Sequence, residues 1–183
     1  RMDSSSDLTA AKWLAQVDEK ELVRVLFEYG EERFARRIAH AIVETRTEKP
    51  LTTTRELTKL IEDVIPKREK QKHPATRSFQ AIRIEVNKEL DELNAALQQS
   101  IRALNQGGRL VVISFHSLED RIAKQFIRNE SGAKYNPGKF PIKEAEIAKG
   151  VLVKRGKPLK ANKTEIEQNP RARSAILRVA ERV

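Results

Sequence analysis

One short stretch limits what this chain can fold into more than any other: Gly107-Gly108-Arg109-Leu110-Val111-Val112-Ile113-Ser114-Phe115-His116-Ser117-Leu118-Glu119-Asp120-Arg121. A glycine pair is a helix stop, and an apolar run is a strand. The polar cluster is a loop, and Leu118 opens the next helical pattern. Leu110–Ser114 shows no alternation, which predicts burial on both faces, as in a parallel sheet. A second strand is expected over residues 174–182, at an edge. Two strands and one helix cannot make a stable parallel sheet, because buried parallel strands need neighbours. The tail therefore reads as half of an α/β layer with an apolar strand edge open to a partner.

Everything upstream is helical in pattern. Thr9 caps a short helix beginning at Ala10, and Asp18 with Glu21 starts another that carries Leu22, Val25, Leu26 and Tyr29 on one face. Gly30 is expected to stop it. Phe34, Ile38, Ala41 and Ile42 make the next stripe, with Arg33, Arg36, Arg37 and His40 around it. Thr53 and Glu56 repeat the box before Leu57, Leu60, Ile61 and Val64, and Pro66 ends that helix. From Ala75 to Leu104, apolar residues recur in steps of three and four at Phe79, Ile82, Val86, Leu90, Leu93, Leu97, Ile101 and Leu104. That spacing predicts one helix of about 45 Å, long enough to serve two domains. The expected division is 1–74, a helical domain; 75–104, the bridging helix; and 105–183, an α/β portion. The fold class is α/β overall, with this chain predominantly α. Residues 129–172, apart from the helix and strands on either side, read as irregular.

Composition narrows the chemistry. Lys and Arg number 36 against 26 Asp and Glu, a net charge of +10, which points to a polyanion and to nucleic acid first. There is no cysteine, and His40, His73 and His116 stand far apart, so no metal site is expected. No apolar run approaches a membrane span, so no membrane partner is expected and a cytoplasmic setting is. Arg1-Met2-Asp3 reads as the interior of a longer chain.

The strongest site candidate is Ser114-Phe115-His116-Ser117, because ligands of open α/β sheets bind outside the carboxyl ends of the strands. Ser114 and His116 can hydrogen-bond a base and Phe115 can stack on one. Ser117 is also expected to N-cap the next helix through the Ser117-x-x-Asp120 spacing. Glu119 and Asp120 suit orienting the loop or Arg121 and do not form an acid/base pair. For phosphate, the candidates are Arg77 and Arg83 on the helix opened by His73-Pro74, the basic run Lys67, Arg68, Lys70 and Lys72, and the pair Arg171 and Arg173. Either of that pair could instead bind Glu165 or Glu167.

Four segments in order, Tyr29-Gly30-Glu31-Glu32-Arg33, His73-Pro74-Ala75-Thr76-Arg77 with Phe79-Gln80-Ala81, Val112 to Arg121, and Asn169-Pro170-Arg171-Ala172-Arg173-Ser174, make the whole chain resemble the bacterial 16S rRNA (cytosine-N4)-methyltransferase family. The resemblance implies a class I, Rossmann-like methyltransferase using S-adenosyl-L-methionine. It also implies that 1–74 is a helical domain inserted after the fourth strand and expected to recognise RNA or substrate, that 105–183 is the C-terminal part of the methyltransferase domain, and that Leu110–Ser114 is a core strand. The family's N-terminal half, with its glycine-rich loop and cofactor-binding acids, has no counterpart here. The cofactor is therefore expected to bind mainly outside this chain. 16S rRNA in the small ribosomal subunit is the implied partner, with a homodimer or other oligomer also in view. A non-catalytic helical RNA- or protein-binding module, or an inactive stable fragment, is the alternative.

Overall fold

A computed structural model of the chain describes residues 7–65, 73–133 and 150–183. The chain divides into two compact units, Arg1–Glu89 and Leu90–Val183.

The first unit packs five helices: α1 Ala10–Gln16, α2 Glu19–Glu28, α3 Ala35–Glu48, α4 Thr54–Val64 and α5 Thr76–Asn87. Local chemistry starts three of them as expected. Thr9 and Asp18 accept from the amides of Lys12 and Glu21 at 3.2 and 2.9 Å, and Thr53 with Glu56 forms a reciprocal capping box. Arg46 of α3 donates to the carbonyls of Leu14 and Val17, both at 2.6 Å, and so satisfies acceptors at the end of α1. Leu22, Val25, Leu26, Ile38, Ile42, Leu57, Ile61 and Ala81 form the aliphatic core.

Gly30 ends α2 in a way the sequence does not predict. It has no left-handed backbone; Glu31 takes that conformation, at φ 51°. A Cβ on Gly30 would lie 2.7 Å from the Arg77 carbonyl and 2.7 Å from that of Leu26. The glycine is there to let α5 approach α2. Gln80 Nε2 donates to the Tyr29 carbonyl at 3.4 Å across the same seam. The Tyr29–Arg33 and His73–Ala81 segments therefore meet face to face.

The expected 75–104 helix is two helices. Lys88 takes φ 52° and ψ 36°, ending α5, and α6 begins at Glu89 and runs to Ala103. A single left-handed residue costs on the order of 1 kcal/mol outside glycine. Local ion pairs help hold it: Lys88 bonds Glu85, and Arg83 makes a fork with Glu89 at 2.9 and 3.0 Å.

The second unit places α6 and α7 (Ser117–Arg128) on a small sheet of β1 Arg109–Ser114, β2 Leu152–Lys154, β3 Leu159–Lys160 and β4 Ile176–Arg182. The sheet is antiparallel throughout, not parallel. β4 lies in its middle rather than at an edge: β1 pairs along one side, β2 and β3 along the other. A short helix α8, Lys163–Gln168, and a 3-10 turn, Pro170–Ser174, precede β4, so the 129–172 stretch is only partly irregular.

β1 is buried on one face only. Leu110 and Val112 turn toward Leu97, Phe126, Ile127, Leu152 and Ala180. Val111 and Ile113 are 53% and 54% exposed. Directly opposite residues share a face, so Val179 and Leu177 of β4 and Leu159 of β3 join Val111 and Ile113. The missing alternation in the sequence thus has a different cause: both faces are apolar, yet one is open. An uncovered sheet face is ordinarily polar.

Gly30→Ala should displace α5 from α2 and destabilise the first unit by about 1–3 kcal/mol, the usual cost of overpacking. Urea unfolding followed by circular dichroism measures the loss, and an unchanged midpoint would refute the close-approach account.

Candidate functional site

The turn Ser114–Ser117 sits where β1 ends and α7 begins. Ser114 is 2% exposed and belongs to the covered face. Phe115 is 54% exposed and points away from the packed helices. His116, not Ser117, is the N-cap of α7. Its Nδ1 accepts from the Glu119 amide at 3.4 Å, and the Glu119 carboxylate reaches back to the amides of Phe115 and His116 at 2.7 and 3.3 Å. The box is shifted one residue from the expected one because glutamate reaches the cap amide better than the shorter Asp120.

This fixes the histidine. With Nδ1 accepting, the ring proton belongs on Nε2, which is buried 3.2 Å from Glu119 Oε1 but makes no hydrogen bond there. Burial pushes the Glu119 carboxyl upward. The His116 side chain and the two backbone amides outweigh that and hold it below its ordinary value. Together, His116 and Glu119 shape the turn.

Asp120 faces β4. Its two oxygens accept from Arg178 Nε and Nη2 at 2.7 and 2.8 Å, with both side chains mostly buried. The Arg178 fork holds the Asp120 carboxyl below its usual range, against a weaker opposing push from burial. Sequence reasoning missed this pair. The available signal was Arg178 itself, a guanidinium at an inward position of a strand, which needs a buried acid.

The candidate phosphate contacts fall in both units. Arg77 is half-buried and is placed by the Gly30 seam. Arg83 is held by Glu89, so a phosphate would have to open that fork. Lys67, Arg68, Lys70 and Lys72 lie outside the described residues. Arg171 and Arg173 are exposed on the 3-10 turn, which Asn169 caps through the Arg171 amide at 3.2 Å and Ala172 anchors in the interior. Among the described residues neither arginine pairs with Glu165 or Glu167. No group of three metal-binding side chains occurs among the described residues, and no described helix is long and apolar enough to cross a membrane.

Asp120→Asn should destabilise the second unit by about 3 kcal/mol at neutral pH, because it leaves Arg178 buried without its anion. The folded pKa of Asp120 is depressed. Its contribution is therefore present above the unfolded value of about 3.9 and is lost as pH falls through the folded value. Urea midpoints should fall less between about pH 5 and pH 2 in the variant than in the parent. Parallel curves would rule out this fork as an acid-sensitive tie.

Comparison with known proteins agrees with this chain from end to end. The model of the MraW methylase family matches residues 1–183. Proteins named ribosomal RNA small subunit methyltransferase H are similar over the full chain: 53% identical in Idiomarina loihiensis, 56% in Methylococcus capsulatus and 53% in Chromobacterium violaceum. The chain spans 58%, 60% and 57% of the lengths of these relatives. The chain is a member of the MraW methylase family.

Proposed function

We propose that this chain is the C-terminal portion of an S-adenosylmethionine-dependent methyltransferase that modifies the N4 amino group of a cytidine in 16S rRNA of the small ribosomal subunit. One observation carries the reading beyond family membership. The Ser114–Ser117 turn stands at the carboxyl end of a strand whose sheet has a bare apolar face, with Val111, Ile113 and Leu159 exposed. A crevice there needs a second wall. The portion of the relatives' length that this chain does not span is the proposed wall.

Two observations support a cofactor site outside these residues. The glycine pair lies before a strand rather than between a strand and a helix, and Glu119 and Asp120 are committed to the cap and to Arg178. S-adenosylmethionine supplies an activated methyl group when bound, and the site proposed for it lies in the unspanned portion.

The chain's own contribution is positioning. A cytosine amino group is a weak nucleophile because its lone pair is delocalised into the ring. Rate therefore comes from holding it in line and excluding water. The base must leave its stack to be reached. Phe115, the exposed apolar member of the turn, is the proposed stacking surface. Ser114, His116 and Glu119 hold the turn's shape, and Arg171 and Arg173 hold backbone phosphate.

Supplying the remaining portion of a relative in trans should restore methyl transfer to small-subunit RNA. Phe115→Ala should lower that activity on the order of tenfold, the scale of one lost base–aromatic stack. Replacing both Arg171 and Arg173 by alanine should weaken RNA binding and flatten its salt dependence. An unaltered slope removes these two arginines from the phosphate contacts, and failure of complementation with both parts folded refutes the division of the site.

A further inference from the structure

The first unit carries an arginine cluster that the proposed methyl transfer does not use. A cavity of about 480 Å³ opens between α2 and the start of α3, lined by Val23, Arg24, Phe27, Arg33, Arg36 and Arg37, with Phe34 and Ala35 completing it. Phe27 is 64% exposed, the most exposed large apolar side chain among the described residues. Its neighbours Leu22, Val25 and Leu26 are all buried, so Phe27 lies on the outer face of α2 and adds nothing to the core.

The charges around it are unbalanced. Arg24 is occupied: it bonds Glu21 and Glu28 and stands 5.2 Å from the centre of the Tyr29 ring. Arg33, Arg36 and Arg37 are exposed and form no ion pair among the described residues. The first turn of α3 contains no acid, and the buried carboxylate of Glu32 accepts the Phe34 amide at 3.0 Å. Three guanidiniums therefore line the cavity without an ion-pair partner among the described residues.

We propose that this cavity is a second RNA-binding site, one that takes an unpaired nucleotide with its base stacked on Phe27 and its flanking phosphates held by Arg33, Arg36 and Arg37. The inference takes the identity of its polyanion from the RNA substrate proposed above. The pairing of features favours a single strand. An acidic peptide would satisfy the arginines but leave Phe27 bare. A duplex would meet the arginines with its phosphates while keeping its bases stacked among themselves. An unstacked base covers the ring and brings phosphates to either side. The volume is near the low end of the range for small-ligand sites, enough for one nucleotide. Guanidinium planes also stack on bases, so the arginines can do more than neutralise.

The test uses the 183-residue chain and fluorescence anisotropy with a labelled, unstructured 12-nucleotide RNA and the matching duplex. Phe27→Ala should weaken single-strand binding on the order of tenfold, change duplex binding little, and leave circular dichroism unaltered; Phe27→Tyr should bind as the parent does. Arg36→Ala with Arg37→Ala should lower the log–log salt slope for the single strand by about 1.4, roughly 0.7 for each phosphate no longer neutralised. Equal single-strand binding by Phe27→Ala and the parent would overturn the proposal. So would a parent dimer in sedimentation that Phe27→Ala dissolves without changing RNA affinity, since that would make the cavity a protein contact. The two readings fail separately. Phe27-dependent binding without methyl transfer in the complemented enzyme would support the site and count against the proposed function. Methyl transfer with Phe27-independent binding would do the reverse.

Discussion

The candidate site depends on the fork between Asp120 and Arg178. It ties the first turn of α7 to the middle of β4, 58 positions away in sequence, and so fixes where the Ser114–Ser117 turn sits on the sheet. Burying both charges costs several kcal/mol of solvation, and a well-aligned fork does little more than offset that. Its value is directional. Two parallel hydrogen bonds allow one orientation of carboxylate against guanidinium, where apolar packing would allow several. Once α7 is held, the His116–Glu119 cap has a fixed frame, and Phe115 follows from the cap.

Packing within the first unit is set by sterics instead. The absence of a side chain at Gly30 lets the Arg77 carbonyl come close, and that approach brings the Tyr29–Arg33 and His73–Ala81 segments together. The same logic recurs at Gly150, where a Cβ would stand 2.3 Å from the backbone of Ser131 and Gly132. Neither glycine is present for left-handed backbone: neither has a positive φ. In both places a missing side chain sets the distance between backbones.

What could be read in the sequence was local. The Thr9, Asp18 and Thr53 caps lie within three residues of their partners, so spacing alone reveals them. The break at Lys88 is invisible because one left-handed residue leaves the apolar spacing from Val86 to Leu90 unchanged. Strand direction in the second unit is invisible for a related reason. Alternation marks a sheet with one wet, polar face, and Val111 and Ile113 are apolar whether covered or not. The cap at His116 was hidden by residue preference, since serine is the commoner cap and histidine is not. The Asp120–Arg178 fork was hidden by distance along the chain. The placement of the Ser114–Ser117 turn between a strand end and a helix start was legible, and the shift of the cap from Ser117 to His116 was not.

Those roles bear on how the chemistry is divided. The polar side chains traced at the turn serve its structure: Ser114 is buried, His116 Nδ1 and the Glu119 carboxylate are spent on the cap, and Asp120 is spent on Arg178, while His116 Nε2 is buried without a hydrogen-bond partner. Phe115 is the apolar side chain left facing outward, beside a sheet face of Val111, Ile113, Leu177, Val179 and Leu159 that is too apolar to be a natural water boundary. A surface of that kind can shape a pocket and exclude water, but it cannot orient an amino group or hold a sulfonium. Under the function proposed above, polar recognition of the reacting atoms is assigned to whatever covers the sheet. That division suits a reaction limited by alignment. In the function proposed above, the wall in this chain is an apolar boundary held by internal ion pairs, and the hydrogen bonds are assigned to the other wall. Rigidity in the first wall lets a few donors in the second define the geometry.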